Sequence, residues 1–313
     1  MTPPSSHASE PEGDLPDWIV WQQRPFPDAN LLLLNGATPA LIDSGYRSHA
    51  TATVDWVARR TRDLELVVNT HWHSDHVGGN ALLQHRGAGI AASVVDAEAL
   101  NGDAPDCCLS KYLDQPVDPY VVDQPLADGD IIRLGNADWQ VVATPGHTPG
   151  HLAFWQPEER VLAVGDLLST YDVGWVNLAL DGPAVAATAL ESLQRVTDLQ
   201  PRTLLPAHGA LPRDSAAALD AALRRAQRLV DDPTGAVWYG ARRIFAFALM
   251  IRHGIATSQV EDYLVARDWV LDAARLLELE PVELARELVA SMTASGAVAV
   301  SDGQLRATAD YSL

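Results

Sequence analysis

Lysine occurs once in this 313-residue chain, at position 111, and cysteine twice, at the adjacent positions 107 and 108. Neighbouring cysteines cannot staple distant parts of a chain, so a disulfide framework is excluded as the source of stability. They read as two small, buried-type residues in a loop. No stretch approaches the ~20 consecutive apolar residues of a membrane span. Residues 1–16 are rich in Pro, Ser, Glu and Asp and have no apolar centre, which predicts a disordered tail and excludes a secretory signal peptide. Taken with the cysteine usage, these features predict a cytoplasmic protein. Cations are also scarce: 22 Lys and Arg face 41 Asp and Glu, for a net charge of −19. Such a surface repels phosphate backbones and argues against a nucleic-acid partner. The chain does have ample core material, with 47% apolar residues, and its length allows one large domain or two.

Against that background the histidines stand out. The segment Thr70-His71-Trp72-His73-Ser74-Asp75-His76 places three histidines and an aspartate within six positions, directly after the apolar run 64–69. The run reads as a buried strand, so the cluster lies where a strand opens into a loop. Imidazole and carboxylate are the ligands that Zn, Fe and Mn take in water-activating sites, and four of them this close point to a metal. Three further segments follow strand-like runs in the same way: Thr144-Pro145-Gly146-His147-Thr148-Pro149-Gly150-His151, Val164-Gly165-Asp166, and Pro206-Ala207-His208-Gly209. Ligands delivered from the ends of successive strands are how an α/β sandwich builds a site along one edge.

These motifs, spanning residues 71 to 209, resemble the metallo-β-lactamase-fold hydrolases, in their glyoxalase II-like branch with two metals. The resemblance implies a four-layer αββα sandwich. It also implies that His71, His73 and His147 bind a first divalent metal, that Asp75, His76 and His208 bind a second, and that Asp166 bridges both. Zn2+ is the first expectation, with Fe or Mn as alternatives. His151, the second histidine of its motif, is then structural or supports a ligand, and Asp43, at the end of Leu41-Ile42-Asp43, has a supporting role. His7, His85 and His253 lie outside any motif. An Asp at position 166, where the resemblance implies Cys in the best-known zinc β-lactamases, disfavours antibiotic hydrolysis.

The remaining pattern completes the plan. Strands are expected at 18–21, 30–34, 40–42, 64–69, 90–95, 131–134, 139–143, 152–155, 161–164 and 204–205. Helices are expected within 47–61, 78–84 and 184–199, and residues 96–130 read as a long irregular excursion. A catalytic domain over 17–213 is therefore predicted. Beyond it, residues 214–230, 236–252, 257–276 and 281–294 show helical apolar stripes, and 296–307 reads as a hairpin about Asp302-Gly303. Helices followed by a hairpin make a winged-helix-like module over 214–313, yet it carries ten Arg against fourteen Asp and Glu. That balance argues against DNA and for a module that covers the active-site edge, shapes the substrate pocket, or pairs protomers as a homodimer.

The expected chemistry is hydrolysis without a covalent enzyme intermediate. A water shared by two cations loses its proton near neutral pH, and Asp75 and Asp166 act as the catalytic carboxylates that orient it. The segment after Asp166 departs from the glutathione-binding pattern of glyoxalase II. Tyr171 and Trp175 within it are candidates to line an apolar pocket, or to offer a phenol to the oxyanion. An acyl thioester or lactone is the leading small-molecule substrate class. Two alternatives share the motifs: a phosphodiesterase or nuclease, and a mononuclear-iron persulfide dioxygenase using His71, His147 and Asp166.

Overall fold

The computed structural model describes residues 15–25, 27–102 and 107–309. The predicted tail lies outside the described residues up to position 14, as do His7 and the side chain of Cys107. One sheet carries β1 (Ile19–Gln22), β2 (Leu31–Leu34), β3 (Ala40–Ile42), β4 (Leu66–Val68), β5 (Gly89–Ser93) and β6 (Gln124–Leu126), in that spatial order. Its first three strands are antiparallel and β3 to β6 run parallel. The intervening helices are α1 (Ala50–Ala58), α2 (Ser74–Val77), α3 (Asn80–His85) and α4 (Val94–Asn101). The second sheet holds β7 (Ile131–Leu134), β8 (Ala137–Ala143), β9 (Leu152–Gln156), β10 (Val161–Gly165) and, after α5 (Val185–Asp198), β11 (Thr203–Pro206). Its spatial order is β11-β10-β9-β8-β7.

The four-leucine run of β2 shows why this is a sandwich. Successive side chains of a strand point to opposite faces. Leu32 and Leu34 join Trp139 and Phe154 of the second sheet in the core between the sheets. Leu31 and Leu33 turn outward and are covered by Val54 and Val57 of α1. Both faces are thus dry, and each such leucine contributes about 1.5–3 kcal/mol by leaving water. On the far side, Val142, Leu162 and Leu204 of the second sheet are covered by Leu193 and Val196 of α5 and by Leu219, Ala222 and Ala226 of α6 (Ser215–Asp231). The layers are therefore αββα, as the sequence predicts.

Beyond α6 come α7 (Pro233–Ile251), β12 (Ile255–Ala256), α8 (Val260–Val265), α9 (Asp268–Leu277), α10 (Pro281–Ala294), β13 (Val298–Ser301) and β14 (Gln304–Ala307). They share a core built on Phe245, Leu264, Val270, Leu284 and Leu288, which Tyr112 and Leu113 of the sandwich enter. Asp302 and Gly303 turn the final hairpin with φ of 52° and 73°, the geometry their side chains tolerate in a tight hairpin turn. The division expected after residue 213 separates α6 from the sheet face it covers.

Two local expectations are corrected. The strand predicted through Val95 ends at Ser93, because the Ser93 hydroxyl accepts from the Asp96 amide and starts α4; the exposed Val94 and Val95 sit in its first turn. The excursion read over 96–130 thus holds the rest of α4 and strand β6. The single helix predicted over 257–276 is two, parted at Arg267, which is extended (φ −101°, ψ 131°). No Gly or Pro marks this break, and the apolar spacing runs on across it, so periodicity alone misses it.

Candidate metal centre

The loops after β3, β4, β8, β10 and β11 meet at one edge of the sandwich, where they carry Asp43, residues 70–76, residues 144–151, Asp166 and His208. Three sets of donor atoms lie within 4.8 Å of one another there: His71, His73 and His147; His71, His76 and Asp166; and Asp75, His76 and His208. Asp166 turns one carboxylate oxygen to each side. Its Oδ2 is 3.4 Å from His147 Nε2, and its Oδ1 is 3.4 Å from His76 Nε2 and 3.3 Å from His208 Nε2. His208 Nε2 is also 3.2 Å from Asp75 Oδ2.

Hydrogen bonds from the supporting shell fix which ring nitrogen faces the centre. His147 Nδ1 lies 2.7 Å from the Trp175 carbonyl, which can only accept, so Nδ1 carries the proton and Nε2 is a bare lone pair. Thr70 Oγ1 donates to Asp43 Oδ2 at 2.8 Å and so receives the proton of His71 Nδ1 at 3.1 Å, which bares His71 Nε2. His73 Nδ1 then sits 3.1 Å from His71 Nε2 and 2.9 Å from His147 Nε2. A proton on His73 Nδ1 could satisfy one of these two nitrogens, whereas a cation satisfies all three. His73 Nε2 is buried with no hydrogen-bond partner. On the other side His76 Nδ1 donates to Asp43 Oδ2 at 2.8 Å and leaves Nε2 toward Asp75 and Asp166. These donor sets fit divalent metals.

The electrostatics agree. Burial and mutual repulsion hold His71 and His73 well below the usual imidazole range, which keeps them neutral as ligands must be. Burial also works against charge on His76, but the carboxylates of Asp43, Asp75 and Asp166 outweigh it and raise that ring well above its ordinary value. Burial alone would raise Asp166, yet His208 and His76 beside it hold the carboxyl well below the usual carboxylate range. So many opposite charges, shut from water, are the balance that cations complete.

Asp43 has the supporting place that the sequence suggests. Its carboxylate accepts from the Thr70 amide at 2.9 Å, the Thr70 hydroxyl and His76 Nδ1, and it holds a left-handed backbone (φ 57°) to do so. Asp43→Ala is expected to weaken zinc uptake about 10–100-fold, read by competition with a chelating dye. Unchanged affinity would refute the orienting role. His151 likewise supports its neighbours. Its Nε2 accepts from the Asp166 amide at 3.1 Å, so its Nδ1 proton goes to Thr144 Oγ1 at 2.7 Å, and burial keeps the ring neutral, with its pKa pushed down to about 3. Gly165, at φ +53°, is required here: a Cβ would lie 2.6 Å from His151 Nε2 and 2.8 Å from Thr70 Cβ. His85 and His253 are exposed, away from the centre.

The centre opens into a cavity that is partly open to solvent, and both aromatic candidates line it. Trp175 stacks on His73 at 5.7 Å between ring centroids and meets His147 edge-on. Tyr171 is half exposed and sits against Gly209. Sequence reasoning missed Leu113 and Gln115 on one wall and, on another, Tyr239, Arg243, Ile244 and Phe247 from α7. Tyr239, Arg243 and Phe247 recur every four residues, a legible stripe whose facing the sequence leaves open. The Tyr239 hydroxyl lies 2.6 Å from the Val173 carbonyl, and Arg243 pairs with Asp172 while lying over the Tyr239 ring. α7 is thereby tied to the loop whose Trp175 carbonyl orients His147.

The family model described as the Metallo-beta-lactamase superfamily matches residues 25–208. Among curated relatives, a Beta-lactamase-like protein 2 homolog from Caenorhabditis elegans is 30% identical over 185 residues, 57% of this chain and 54% of that protein. A hydroxyacylglutathione hydrolase from Bdellovibrio bacteriovorus is 31% identical over 156 residues, 50% of this chain and 53% of its own length. The chain therefore spans about half the length of these curated relatives. Among solved structures, a metallo-beta-lactamase family protein from Thermus thermophilus superposes with a TM-score of 0.56 at 22% identity, covering 93% of this chain and 98% of that one, so the shared fold extends into the C-terminal helices. The family match encloses every clustered histidine and aspartate of the centre, and the chain belongs to the metallo-beta-lactamase superfamily.

Proposed function

We propose that this protein is a metal-dependent hydrolase of acyl thioesters or lactone-type esters, with His71, His73 and His147 holding one divalent cation, Asp75, His76 and His208 a second, and Asp166 between them. The observation that carries the reading is the placement of two donor triads about one carboxylate, at the end of a largely apolar cavity. Zn2+ suits the imidazole-rich donors, and Fe or Mn could occupy the same set. When bound, the cations supply an acidified water and a sink for charge on the substrate's oxygen.

The protein's own groups do the rest. Asp75 and Asp166 line the cavity and are the carboxylates available to orient the attacking water and take up its proton. The Tyr239 proton goes to Asp172 or to the Val173 carbonyl, whereas the Tyr171 phenol, half exposed at the cavity mouth and hydrogen-bonded to Ser169, is the one placed to meet a developing oxyanion. Leu113, Leu168, Val173, Trp175, Ile244 and Phe247 suit an apolar acyl group. Among the described residues Arg243 is the one Arg or Lys on the cavity wall, and it is paired with Asp172, so a polyanionic substrate finds little to hold it; this favours a carbonyl ester over a phosphodiester. Small-molecule turnover in the cytoplasm is the setting that fits, with a second copy of the chain as the partner and no role for DNA.

Thioesters, lactones and bis(p-nitrophenyl) phosphate are to be compared on zinc-loaded and chelator-stripped protein. The expected result is turnover of a thioester or lactone that needs about two equivalents of metal. Phosphodiester turnover alone would overturn the substrate class, and oxygen uptake with one equivalent of iron would overturn the hydrolase.

A further inference from the structure

A second, smaller cavity adjoins the first. Trp175 and Ile244 line both, so these two side chains form the partition between them. The remaining wall comes from both parts of the chain: Tyr112 and residues 176–179 on the sandwich side, and Val237, Gly240, Ala241, Trp269, Ala273 and Leu276 from α7 and α9. Two polar side chains of this lining are engaged, whereas the indole N–H of Trp269 is buried without a hydrogen-bond partner. Tyr112 donates to Asp272 Oδ2 at 3.0 Å, and Asn177 Oδ1 accepts from the amides of Ala179 and Leu180 at 3.2 Å each. The rest of what faces the space is mainly hydrocarbon and aromatic ring. Gly240 adds no side chain to this space, where a Cβ would sit at ordinary contact, 3.4 Å from Trp175 Cε3. Leu276, 44% exposed, marks the solvent end.

A largely apolar wall selects for alkyl, and its position beside the reacting end of the first cavity selects for the substrate's own tail. We propose that the second cavity is the acyl-chain subsite of this enzyme, and that it takes the distal methylenes of a medium-chain acyl group threaded past Ile244. The substrate class thereby narrows from acyl thioesters in general to those with a chain of about eight carbons; this rests on the hydrolase reading above. Each methylene brought out of water is worth about four-fold in binding. An octanoyl group that seats even two in the cavity then exceeds acetyl by about ten-fold or more in kcat/KM.

The test uses the zinc-loaded full chain, with acetyl and octanoyl thioesters of N-acetylcysteamine and two variants. Ala273→Phe fills the cavity from α9, and Leu276→Glu places a charge at its solvent end on an exposed position that tolerates it. The expected result is an octanoyl-to-acetyl ratio of kcat/KM that falls at least ten-fold in both. A ratio that neither variant moves would overturn the proposal. Calorimetry with 1-octanol, which has no carboxylate to bind metal, reads the cavity without turnover. Saturable binding by the wild type that is lost in Ala273→Phe supports the subsite even if no thioester is cleaved, in which case the hydrolase reading alone fails. Octanol binding that is absent from the wild type, or equal in both proteins, overturns the subsite.

Discussion

Asp166→Ala is expected to lower bound metal from about two equivalents to one or fewer, and kcat/KM by about 10³-fold or more. The carboxylate is the single group that faces both triads, with Oδ2 3.4 Å from His147 Nε2 and Oδ1 3.3 Å from His208 Nε2. Its removal leaves three neutral imidazoles on one side and a lone aspartate with two histidines on the other. A cation that polarises substrate is worth several kcal/mol of charge stabilisation, and each 1.36 kcal/mol is a factor of ten in rate. The backbone is indifferent to the change, because the bond from the Asp166 amide to His151 Nε2 survives in alanine. Circular dichroism should thus show a folded protein, which separates metal loss from unfolding. Asp166→Asn provides the gradation: one oxygen remains but the charge is gone, and metal should persist best on His71, His73 and His147. Full metal and wild-type turnover in Asp166→Ala would remove Asp166 from the centre and with it the pairing of the two triads.

How much of this could be read beforehand follows from where each signal resides. The clustering of these histidines and aspartates was legible because such residue types are costly to bury without a purpose, and because 71, 73, 75 and 76 are local in sequence. The sandwich was legible from strand runs such as Leu31–Leu34, whose unbroken apolarity predicts burial on both faces. The break at Arg267 was not, since helix ends without Gly or Pro are set by tertiary packing. Nor was the cavity wall from α7: the four-residue spacing of Tyr239, Arg243 and Phe247 gives a stripe, but its orientation depends on how α7 docks. Docking in turn rests on contacts distant in sequence, such as the edge-on pair of Tyr46 and Phe247 at 5.7 Å. The partition between the two cavities joins Trp175 to Ile244, residues no local pattern connects.

Asp96→Asn is expected to stabilise the protein at pH 8 and to leave it unchanged at pH 4. Asp96 is 1% exposed, its Oδ1 has no hydrogen-bond partner, and burial pushes its carboxyl up to about 7. The unfolded chain releases this proton near pH 3.9. Between about pH 4 and 7 the folded state therefore holds a proton that the unfolded state has lost, so stability falls as pH rises through this window and levels off above it. A shift of about three units amounts to roughly 4 kcal/mol. The first turn of α4 opposes this by favouring the anion, but a helix terminus contributes only about 0.3–1 kcal/mol, leaving burial dominant and a net cost of roughly 3 kcal/mol. The amide keeps the shape of the carboxyl and carries no charge to desolvate, and the Ser93 cap on the Asp96 backbone amide is untouched. At about 1.5 °C per kcal/mol for a chain of this size, the variant should melt roughly 4–5 °C higher at pH 8. A melting temperature at pH 8 equal to or below that of the wild type would show that Asp96 is ionised without penalty, and that the polar atoms around it, Gly150 and Ser93 included, offer its charge more than burial takes away.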